Sequence, residues 1–346
     1  MAVVGDVRRV LVVNTGSSST KVSLVVDGAV TDRWSSLDVP LPDVDAVAHR
    51  FVHGGERLGP VALIDNQVRT ALEAAAELAP LHQGRALEVL DMLQSRLPQV
   101  PHVACFDSAF HATLPPEAAT YALPAEWNER YHIRRYGFHG FSHAWAARRA
   151  REWCPGARRV VTCHLGSGAS LAAVCDGISV DTTMGFTPLE GLVMATRSGD
   201  VDPGLVLWLA EREPDVAAAL ASRSGLLGLA GTADMREILA RDDEQARLAR
   251  TVYLHRLRKG IAAMAAAMGG IDVCIFTGGV GENAPQIRAG AADGLEFLGI
   301  SIDPERNQRA VPDEEISASG ARVRTLVVAA QEDRQIAEDV RLFFQR

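Results

Sequence analysis

Two runs of small polar residues in this sequence could bind the phosphate groups of a ligand. Residues 14–21 read NTGSSSTK, and residues 164–168 read HLGSG. Small side chains let an anion approach backbone N–H groups, and Lys21 adds an ammonium group to the first run. One such run alone is more typical of an ordinary turn, but two of them could hold one polyphosphate. The chain has no G-x-x-x-x-G-K-[ST] pattern, so this would not be a P-loop.

A third glycine cluster follows an apolar stretch. Residues 271–276 predict a buried strand, and residues 277–283 read TGGVGEN directly after it. A strand that leads into a glycine-rich turn is a common nucleotide contact, because the backbone can lie against a base or ribose. The spacing is not G-x-G-x-x-G, so the cluster does not indicate a Rossmann dinucleotide site.

Two arginines lie among small or polar residues and away from an obvious charged helix face. Arg50 occurs in AHRFVHGGE and Arg197 in ATRSGD. A guanidinium group binds carboxylates and phosphates through paired N–H donors, so both are candidates for contacting a substrate anion. The alternative is a surface ion pair, which suits most of the other arginines.

Two acidic residues follow apolar, strand-like stretches. Asp107 comes after residues 102–106, and Glu332 comes shortly after residues 325–330. Ligands of α/β proteins collect at the carboxyl ends of strands. Because Mg²⁺ prefers few carboxylates together with water and phosphate oxygens, the two acids favour magnesium over zinc.

The segment YGFHGFSH contains two histidines four residues apart. The spacing of His139 and His143 could bind zinc on a helix, but no H-E-x-x-H pattern is present and Gly140 disfavours a helix there. We therefore predict that His139 belongs to a catalytic or substrate site and that His143 is structural.

The two phosphate-binding runs lie inside an internal repeat. Residues 9–28 and residues 159–177 each read as an apolar strand, a Ser/Gly turn, a second apolar strand and an Asp-Gly turn. Each copy predicts a β-hairpin with the small residues at its tip. The two copies predict duplicated domains that face each other.

Helical and strand-like periodicity alternate along the rest of the chain, which predicts an α/β fold. We predict helices at 70–79, 84–97, 142–153, 203–222 and 244–268, and strands at 46–52, 101–106, 271–276 and 323–329.

Composition narrows the class of protein. The chain has 346 residues, of which 47% are apolar and 23% charged, as is typical of a globular enzyme. The formal net charge of −8 argues against a broad nucleic-acid-binding surface, which needs a basic face. The five cysteines are odd in number and lack CxxC spacing, which favours reduced thiols in a cytoplasmic protein. No leader segment and no apolar run of membrane-spanning length is predicted.

Nine segments, in order and covering nearly the whole chain, resemble the acetokinase (acetate kinase) family of the sugar-kinase, heat-shock-protein and actin superfamily. They are VLVVNTGSSSTK, HRFVHGGE, APLH, VACFDSAFHATLP, RYGFHGFSH, HLGSGASL, DTTMGFTPLEGLVMATRSGDVDP, SGLLGLAGTADMREI and FTGGVGENA. The resemblance implies two duplicated actin-like (ribonuclease H-like) domains with a cleft between them. Residues 1–108 plus 331–346 would form the N-terminal domain, and residues 109–330 the C-terminal domain with the nucleotide pocket.

The resemblance also implies roles for the candidate residues. The catalytic residues would be Asp107, Arg50, Arg197 and His139, with His139 and Arg197 stabilising the transition state. The substrate would contact Arg50, Val52, Leu81, Phe138 and Pro188, with His82 near the site. ATP would contact Ser17, Ser19, Lys21, His164, Gly166, Ser167, Gly168, Asp234, Met235, Arg236, Gly279, Gly281, Glu282 and Asn283. The metal ligands would be Asn14 and Glu332.

The sequence departs from the family pattern in places. Ser167 stands where the family usually has Asn, and Phe141 replaces a usual Thr. Only 28 residues separate Lys21 from Arg50, where the family has a much longer segment. These departures bear on rate, nucleotide choice and substrate size more than on the class of reaction.

The reaction implied by this resemblance is transfer of the γ-phosphoryl group of ATP to a short-chain carboxylate in a cytoplasmic homodimer. Mg²⁺ is the expected metal, with Mn²⁺ as an alternative, and no nucleic-acid or membrane partner is expected. A valine at position 52 favours acetate over longer acids. The alternatives are a propionate or butyrate kinase, a phosphohydrolase of the same fold, and a non-catalytic ATP-binding protein.

Overall fold

The computed structural model describes residues 6–15, 20–54, 58–75 and 80–345, and for residues 80–82 the backbone alone. The chain forms two compact units. The first comprises Met1–Phe110 and Gln331–Arg346, and the second comprises His111–Ala330.

The first unit contains a six-stranded mixed sheet in the order β3, β2, β1, β4, β6, β5. Alternating and continuous apolar runs form its strands, and β1, β4 and β6 are parallel to one another. The strands are β1 (Arg9–Thr15), β2 (Thr20–Val26), β3 (Ala29–Trp34), β4 (Ala46–Phe51), β5 (Val61–Leu63) and β6 (His102–Phe106).

The second unit contains a sheet with the same connections, in the order β11, β12, β10, β7, β8, β9. Here β7, β10 and β12 are parallel, and β8, β9 and β11 are antiparallel to their neighbours. The strands are β7 (Arg159–Leu165), β8 (Ala169–Cys175), β9 (Ile178–Thr182), β10 (Val273–Thr277), β11 (Glu314–Glu315) and β12 (Arg324–Val327). The predicted α/β class and the duplicated sheet architecture are confirmed.

The helices of the described residues alternate with these strands. They are α1 (Asn66–Ala74), α2 (Pro80–Arg96), α3 (Pro116–Ala119), α4 (Ala125–Tyr131), α5 (Gly140–Trp153), α6 (Pro203–Ala210), α7 (Val216–Ser222), α8 (Gly225–Ala230), α9 (Met235–Ala240), α10 (Glu244–Ala267), α11 (Gly278–Asn283), α12 (Pro285–Ala292), α13 (Pro304–Arg309) and α14 (Glu332–Phe344).

The internal repeat extends to the backbone conformation of the hairpins. In each copy the sheet register shifts at one place on the second strand, between Leu24 and Val25 and between Ala173 and Val174. The following Asp-Gly turns, at residues 27–28 and 176–177, have positive φ at both positions, which is the two-residue turn that suits strand twist.

In each unit an aspartate just before the fourth strand, β4 or β10, forms hydrogen bonds with the start of the hairpin. Asp45 Oδ2 accepts the backbone N–H groups of residues 8–9 at 2.8 and 2.7 Å. Asp272 Oδ2 accepts those of residues 158–159 at 3.0 and 2.8 Å. The equivalence of Asp45 and Asp272 was not recognised from the sequence, because a single aspartate in each copy gives no detectable repeat pattern.

Two helices cover the first sheet. Val89 and Leu93 of α2 pack with Leu11, Val13 and Val47 in one apolar cluster. The final helix, α14, packs on strands of the same sheet. It is tied there by the Ser23 hydroxyl, which donates to Asp333 Oδ2 at 2.7 Å. The C-terminal segment therefore completes the first unit, although it lies more than 200 residues further along the chain.

Most predicted elements are present, with two instructive differences. The predicted helix 203–222 is two helices, α6 and α7, because Pro214 lies between them and cannot continue a helix. The predicted helix 70–79 begins earlier, at Asn66, where Asp65 caps the Val68 N–H. Residues 76–79 lie outside the described part of the chain.

Across the described residues, no individual helix combines the length and apolarity needed to cross a membrane. One bent pair, Val216–Ser222 with Gly225–Ala240, meets the length and composition criteria together.

Candidate active site

Arg50 lies at the centre of a polar group in the first unit. The parallel register of β1 and β4 places Asn14 opposite Arg50, and Asp107 follows β6 on the other side. Arg50 donates from Nη2 to Asp107 Oδ2 at 2.8 Å and from Nη1 to Asn14 Oδ1 at 3.1 Å. The Asp107 side chain is 3% exposed and that of Arg50 15%, so the sheet holds this ion pair largely out of solvent.

Glu332, the first residue of α14, brings a further carboxylate to this group. Burial lowers the pKa of Arg50. The carboxylates of Asp107, Glu332 and Asp333 together raise it by more than burial lowers it, so the pKa lies above its usual value. Burial raises the pKa of Glu332 most; Arg50 opposes this shift, and Asp107 and Asp333 add to it. The first unit thus concentrates acidic groups around one guanidinium.

These residues fit a magnesium ion better than a zinc ion. Asp107 and Glu332 offer carboxylate oxygens, and Asn14 offers an amide oxygen that Arg50 already contacts. Within the described ranges, no group of three or more His, Cys, Asp or Glu side chains could hold a metal by itself. Mg²⁺ takes few protein ligands and keeps water and phosphate oxygens, so a sparse oxygen set of this kind suits it.

In the second unit, His139 lies at the N-terminus of α5, beside His164 at the end of β7. His139 has a left-handed backbone conformation, with φ of 56°, and forms the N-cap of the helix. Its ring stacks on that of His164, with centroids 4.3 Å apart, and its Nδ1 is 2.9 Å from Ser170 Oγ. The Nδ1 of His164 is 2.7 Å from Ser142 Oγ. Hydroxyl groups from α5 and β8 therefore orient both rings.

The helix that carries these histidines differs from the prediction. α5 begins directly at Gly140, so Gly140 starts the helix rather than weakening it. His143 is fully buried in α5, and its two ring nitrogens lie 2.7 Å from Thr162 Oγ1 and 2.7 Å from Ser170 Oγ. Burial lowers the pKa of His143 well below its usual value, and His111 and His164 lower it further. A neutral, enclosed His143 agrees with the structural role predicted for it.

Arg197 has an environment unlike that of Arg50. Its Nη1 donates to the Pro188 carbonyl oxygen at 3.2 Å, and it forms no ion pair with a carboxylate of the described residues. Burial lowers the pKa of Arg197. A half-buried guanidinium without a protein carboxylate is suited to binding an anionic ligand.

Gly168 lies close to both His139 and Arg197. A Cβ atom at this position would lie 2.9 Å from His139 Nε2 and 3.6 Å from Arg197 Nη1. Both nitrogens therefore face the place where any larger residue would put its side chain. The glycine of the second predicted phosphate-binding run is required here for space.

A cavity of about 690 Å³ opens in the second unit next to the other residues of that run. Apolar side chains such as Leu226 and Leu239 form much of its wall. Of the predicted ATP contacts, the cavity is lined by Gly166, Ser167, Asp234, Met235, Arg236, Gly279 and Asn283. Its size and mixed lining suit a nucleoside.

Asp234 and Arg236 lie together at the N-terminus of α9. Asp234 caps the helix by accepting the Arg236 N–H, and the two side chains form an ion pair of 2.5 Å. The hydrogen bond from Arg236 lowers the pKa of Asp234 to about 2. Both groups are therefore charged at neutral pH.

Two predicted ATP contacts, Gly281 and Glu282, support the glycine-rich turn at the start of α11. Gly281 packs against Phe276 and Leu165, where a Cβ would be 3.4 Å from the Phe276 backbone. Glu282 Oε1 accepts the backbone N–H groups of Gly278 and Ala330 at 3.0 and 2.9 Å. Neither residue lines the cavity.

A buried arginine missed by the sequence analysis holds the same turn. Arg288 is 1% exposed and donates to the carbonyl oxygens of Gly281 and Glu282 at 2.9 and 2.8 Å, and to Asn307. Nothing in a single sequence separates this arginine from the surface arginines around it.

The remaining predicted residues are distributed as follows. Val52 and Phe138 are buried and Pro188 is half-buried. Lys21, in β2, lies next to Asn14 in the hairpin register. Ser17 and Ser19, and the side chains of Leu81 and His82, lie outside the described residues.

A family model described as the acetokinase family matches residues 30–338. This chain belongs to the acetokinase family. It is 42% identical to acetate kinase of Bacteroides fragilis over 329 residues, covering 92% of this chain and 82% of that protein. Acetate kinase of Thermotoga maritima is also 42% identical, over 98% of this chain and 87% of the relative.

Solved structures of the family share the fold. The crystal structure of Porphyromonas gingivalis acetate kinase is similar with a TM-score of 0.88 and 34% identity, covering 98% of this chain and 100% of that chain. A propionate kinase from Francisella tularensis has a TM-score of 0.86 and 32% identity, covering 96% and 98%.

Proposed function

We propose that this protein transfers the γ-phosphoryl group of ATP to acetate and forms acetyl phosphate and ADP. The observation that carries the proposal is the half-buried guanidinium of Arg197, which lacks a carboxylate partner among the described residues and lies near Gly168, as His139 does. Membership of the acetokinase family and the nucleoside-sized cavity beside Gly166 support the same reaction.

The chemistry requires positive charge more than a general base. Acetate is ionised at neutral pH, so its carboxylate oxygen can attack phosphorus directly. A bond forms from that oxygen to the γ-phosphorus, the bond to the β–γ bridging oxygen breaks, and ADP leaves with the electron pair. The obstacle is repulsion between two anions, which positively charged and hydrogen-bonding groups offset in the transition state.

Three side chains would supply these groups. Arg197 would contact the transferring phosphoryl group or the acid, His139 would donate a hydrogen bond to a phosphoryl oxygen, and Arg50 would hold the acid. The proposal requires these residues of the two units to act on the same substrates. Asp107 would keep the Arg50 guanidinium in place through the ion pair of 2.8 Å.

We further propose that Mg²⁺ binds at Asn14 and Glu332, with Asp107 nearby. A magnesium ion bound with ATP neutralises charge on the phosphate oxygens. The task of this chain's own residues is to orient that complex. The enclosed position of Glu332, next to a cation and other carboxylates, supports the assignment.

Acetate is proposed as the preferred acid. Val52, Leu81, Phe138 and Pro188 would surround its methyl group. One methylene changes discrimination by only about 1–3 kcal/mol, so propionate would be a poorer substrate rather than an excluded one. The similarity to a propionate kinase is a reason to test it.

A homodimer is proposed from an exposed apolar surface, and a cytoplasmic location is proposed because the five cysteines are free. Helix α6 contains no buried residue, and its Leu205, Leu207 and Trp208 are 44%, 71% and 53% exposed. Helix α7 also contains no buried residue. An apolar face of this kind is typical of an interface, and a second copy of the chain is the proposed partner.

The direct test is a hydroxylamine assay for acyl phosphate with ATP, Mg²⁺ and acetate, propionate or butyrate. We expect acyl hydroxamate in the order acetate, propionate, butyrate. Phosphate release at the full rate without any acid would instead identify a phosphohydrolase. ATP binding without turnover would identify a non-catalytic protein.

A further inference from the structure

A chain of buried hydroxyl and imidazole groups leads from His139 into the second unit. Ser170 Oγ lies 2.9 Å from His139 Nδ1 and 2.7 Å from His143 Nε2. His143 Nδ1 in turn lies 2.7 Å from Thr162 Oγ1. Ser170, His143 and Thr162 are all fully buried or nearly so, on β8, α5 and β7.

The single hydrogen of each hydroxyl couples the protonation of the two rings. Ser170 has one hydrogen, so it either donates to one histidine and accepts from the other, or accepts from both and leaves its own hydrogen without a partner among the described residues. His143 is neutral and carries one ring hydrogen, so it donates to Ser170 and accepts from Thr162, or the reverse. Two arrangements therefore use the Ser170 hydrogen within these three contacts, and the third, in which Ser170 accepts from both rings, leaves a buried donor unpaired.

In the first arrangement, Thr162 donates to His143 Nδ1, His143 Nε2–H donates to Ser170, and Ser170 donates to His139 Nδ1. His139 then carries its hydrogen on Nε2. In the second arrangement every donor is reversed, and His139 carries its hydrogen on Nδ1.

Thr162 decides between the two arrangements. In the second, its hydroxyl accepts from His143 and its own hydrogen needs another acceptor. His143 is the one hydrogen-bond partner of Thr162 Oγ1 within the part of the chain that the structure describes. Leaving a buried donor without a partner is costly, so the first arrangement is favoured.

We propose, as an extension of the proposed function, that Thr162, His143 and Ser170 form a relay that fixes His139 as its Nε2–H tautomer. His139 Nε2 lies beside Gly168 of the second predicted phosphate-binding run, and in this proposal its hydrogen would donate to a phosphoryl oxygen bound at that run. His143 and Ser170 are positioning residues in this account, and His139 is the residue that touches the substrate.

The relay also opposes a positive charge on His139. Adding a hydrogen to Nδ1 would either reverse Ser170, His143 and Thr162 and leave the Thr162 hydrogen without an acceptor, or leave the Ser170 hydrogen without one. His164 from β7 stacks on the His139 ring, and Arg197 Nη1 also lies near Gly168; a positive charge on His139 would be repelled by the Arg197 guanidinium. The relay therefore favours a His139 that donates from Nε2.

Nitrogen-15 NMR of histidine-labelled protein without substrate tests the relay directly. We expect His139 and His143 both in the Nε2–H form from pH 6 to pH 8. Thr162→Val removes the group that decides the arrangement, so a mixture of tautomers should appear at His139 even though Thr162 does not contact it. Ser179→Ala, which removes a similar buried bond to His111, should leave His139 unchanged.

Kinetics separates positioning from simple structural support. Ser170→Ala should lower kcat by about 10–100-fold, as the loss of an orienting partner typically does, and Ser170→Thr should recover most of it. An Nδ1–H form of His139 in the wild type, or an unchanged tautomer in Thr162→Val, would overturn the relay. Because the tautomer is read without substrate, a wild-type protein that makes no acyl phosphate would overturn the proposed function alone.

Discussion

At the scale of single residues, the two predicted arginines differ in what they contact. Arg50 is already paired with Asp107, whereas Arg197 donates to a carbonyl oxygen and forms no ion pair with a described carboxylate. Burial lowers the pKa of Arg197, so its charge is held at a free-energy cost that a bound anion would offset. Arg197 is therefore the more direct probe of transition-state stabilisation.

Arg197→Ala should lower kcat by about a thousandfold or more, the range seen when an arginine that contacts a transferring phosphoryl group is lost. ATP affinity should change little, because the cavity residues are intact. Arg197→Lys should recover only part of the rate, since an ammonium cannot reproduce two parallel N–H donors. Steady-state kinetics and calorimetric ATP binding measure both quantities.

The matched control is Arg223→Ala, which removes an exposed arginine of the same unit. An equal loss of ATP affinity and of kcat in Arg197→Ala, or no loss of either, would count against the assignment.

Arg50 has a proposed catalytic role and also forms a largely buried ion pair with Asp107. Arg50→Ala should destabilise the protein by about 3 kcal/mol, because the buried Asp107 carboxylate loses its guanidinium partner. The double variant Arg50→Ala/Asp107→Asn should recover much of that stability, because no negative charge remains to be paired, while activity stays low. Urea unfolding of the two variants and the wild type measures the difference; equal stability of all three would show that the pair is not a stabilising contact.

The candidate site residues could be predicted from the sequence, but the residues that hold them in place through hydrogen bonds could not. Arg50 and Asp107 were found because each is a charged residue beside or within a strand-like run, and His139 because it lies next to a glycine in a histidine-rich segment. Ser170 and Arg288 were missed, because a serine in a strand or an arginine in a helix carries no signal until neighbouring elements are known. Glu282, for which the family resemblance implies a contact with ATP, accepts two backbone N–H groups in the structure.

At the scale of elements, two adjacent strands of the first sheet place a histidine pair inside the core. His49 on β4 and His102 on β6 have ring nitrogens 2.9 Å apart and stacked rings. Burial, with a smaller effect of His102, lowers the pKa of His49 to about 3. Burial also lowers the pKa of His102, against a hydrogen bond with the Leu97 carbonyl that raises it.

This pair predicts acid sensitivity of the fold. Because the folded pKa of His49 lies below its unfolded value of 6.5, the unfolded state binds more protons, and stability is lost as pH falls below about 6.5. The expected loss from His49 alone is about 2 kcal/mol between pH 7 and pH 5. Replacing both rings, in His49→Leu/His102→Leu, should reduce the pH dependence of urea unfolding by at least that amount.

The exposed His255→Leu is the control and should leave the pH dependence as it is. His53 and His143, whose pKa values burial also lowers, would account for the slope that remains in the double variant. An unchanged slope in His49→Leu/His102→Leu would show that the pair does not resist protonation.

Element boundaries followed local sequence where a cap or a breaker was present. α10 begins after Asp243, which caps the Ala246 N–H, and ends within a residue of the prediction. The split of residues 203–222 at Pro214 was available from the sequence, and apolar periodicity concealed it. The pairing partners of the strands required the fold itself.

At the scale of the whole molecule, one topology is used twice with different chemistry at equivalent positions. In the first sheet Asn14 lies opposite Arg50, and in the second His164 lies opposite Thr277. The duplication was predictable from two hairpin sequences alone. The assignment of the last 16 residues to the first unit came from the family resemblance, because the sequence of α14 alone does not indicate which of the two sheets it packs on.

The surface of α6 predicts the oligomeric state. Leu207→Glu/Trp208→Glu should convert a dimer to a monomer, because it places two charges in the centre of an apolar face. Leu248→Glu, on an exposed position of α10, should leave the dimer intact. Light scattering coupled to size-exclusion chromatography measures the mass; a monomeric wild type would contradict the interface.

The central claim is that a carboxylate oxygen becomes bonded to the γ-phosphorus of ATP. The most direct measurement is phosphorus-31 NMR of a reaction with ATP, Mg²⁺ and acetate labelled with oxygen-18 at both carboxylate positions. The account predicts acetyl phosphate whose phosphorus signal shows the isotope shift of one labelled oxygen, and ADP without label. Unlabelled inorganic phosphate, formed at the same rate with and without acetate, would contradict it.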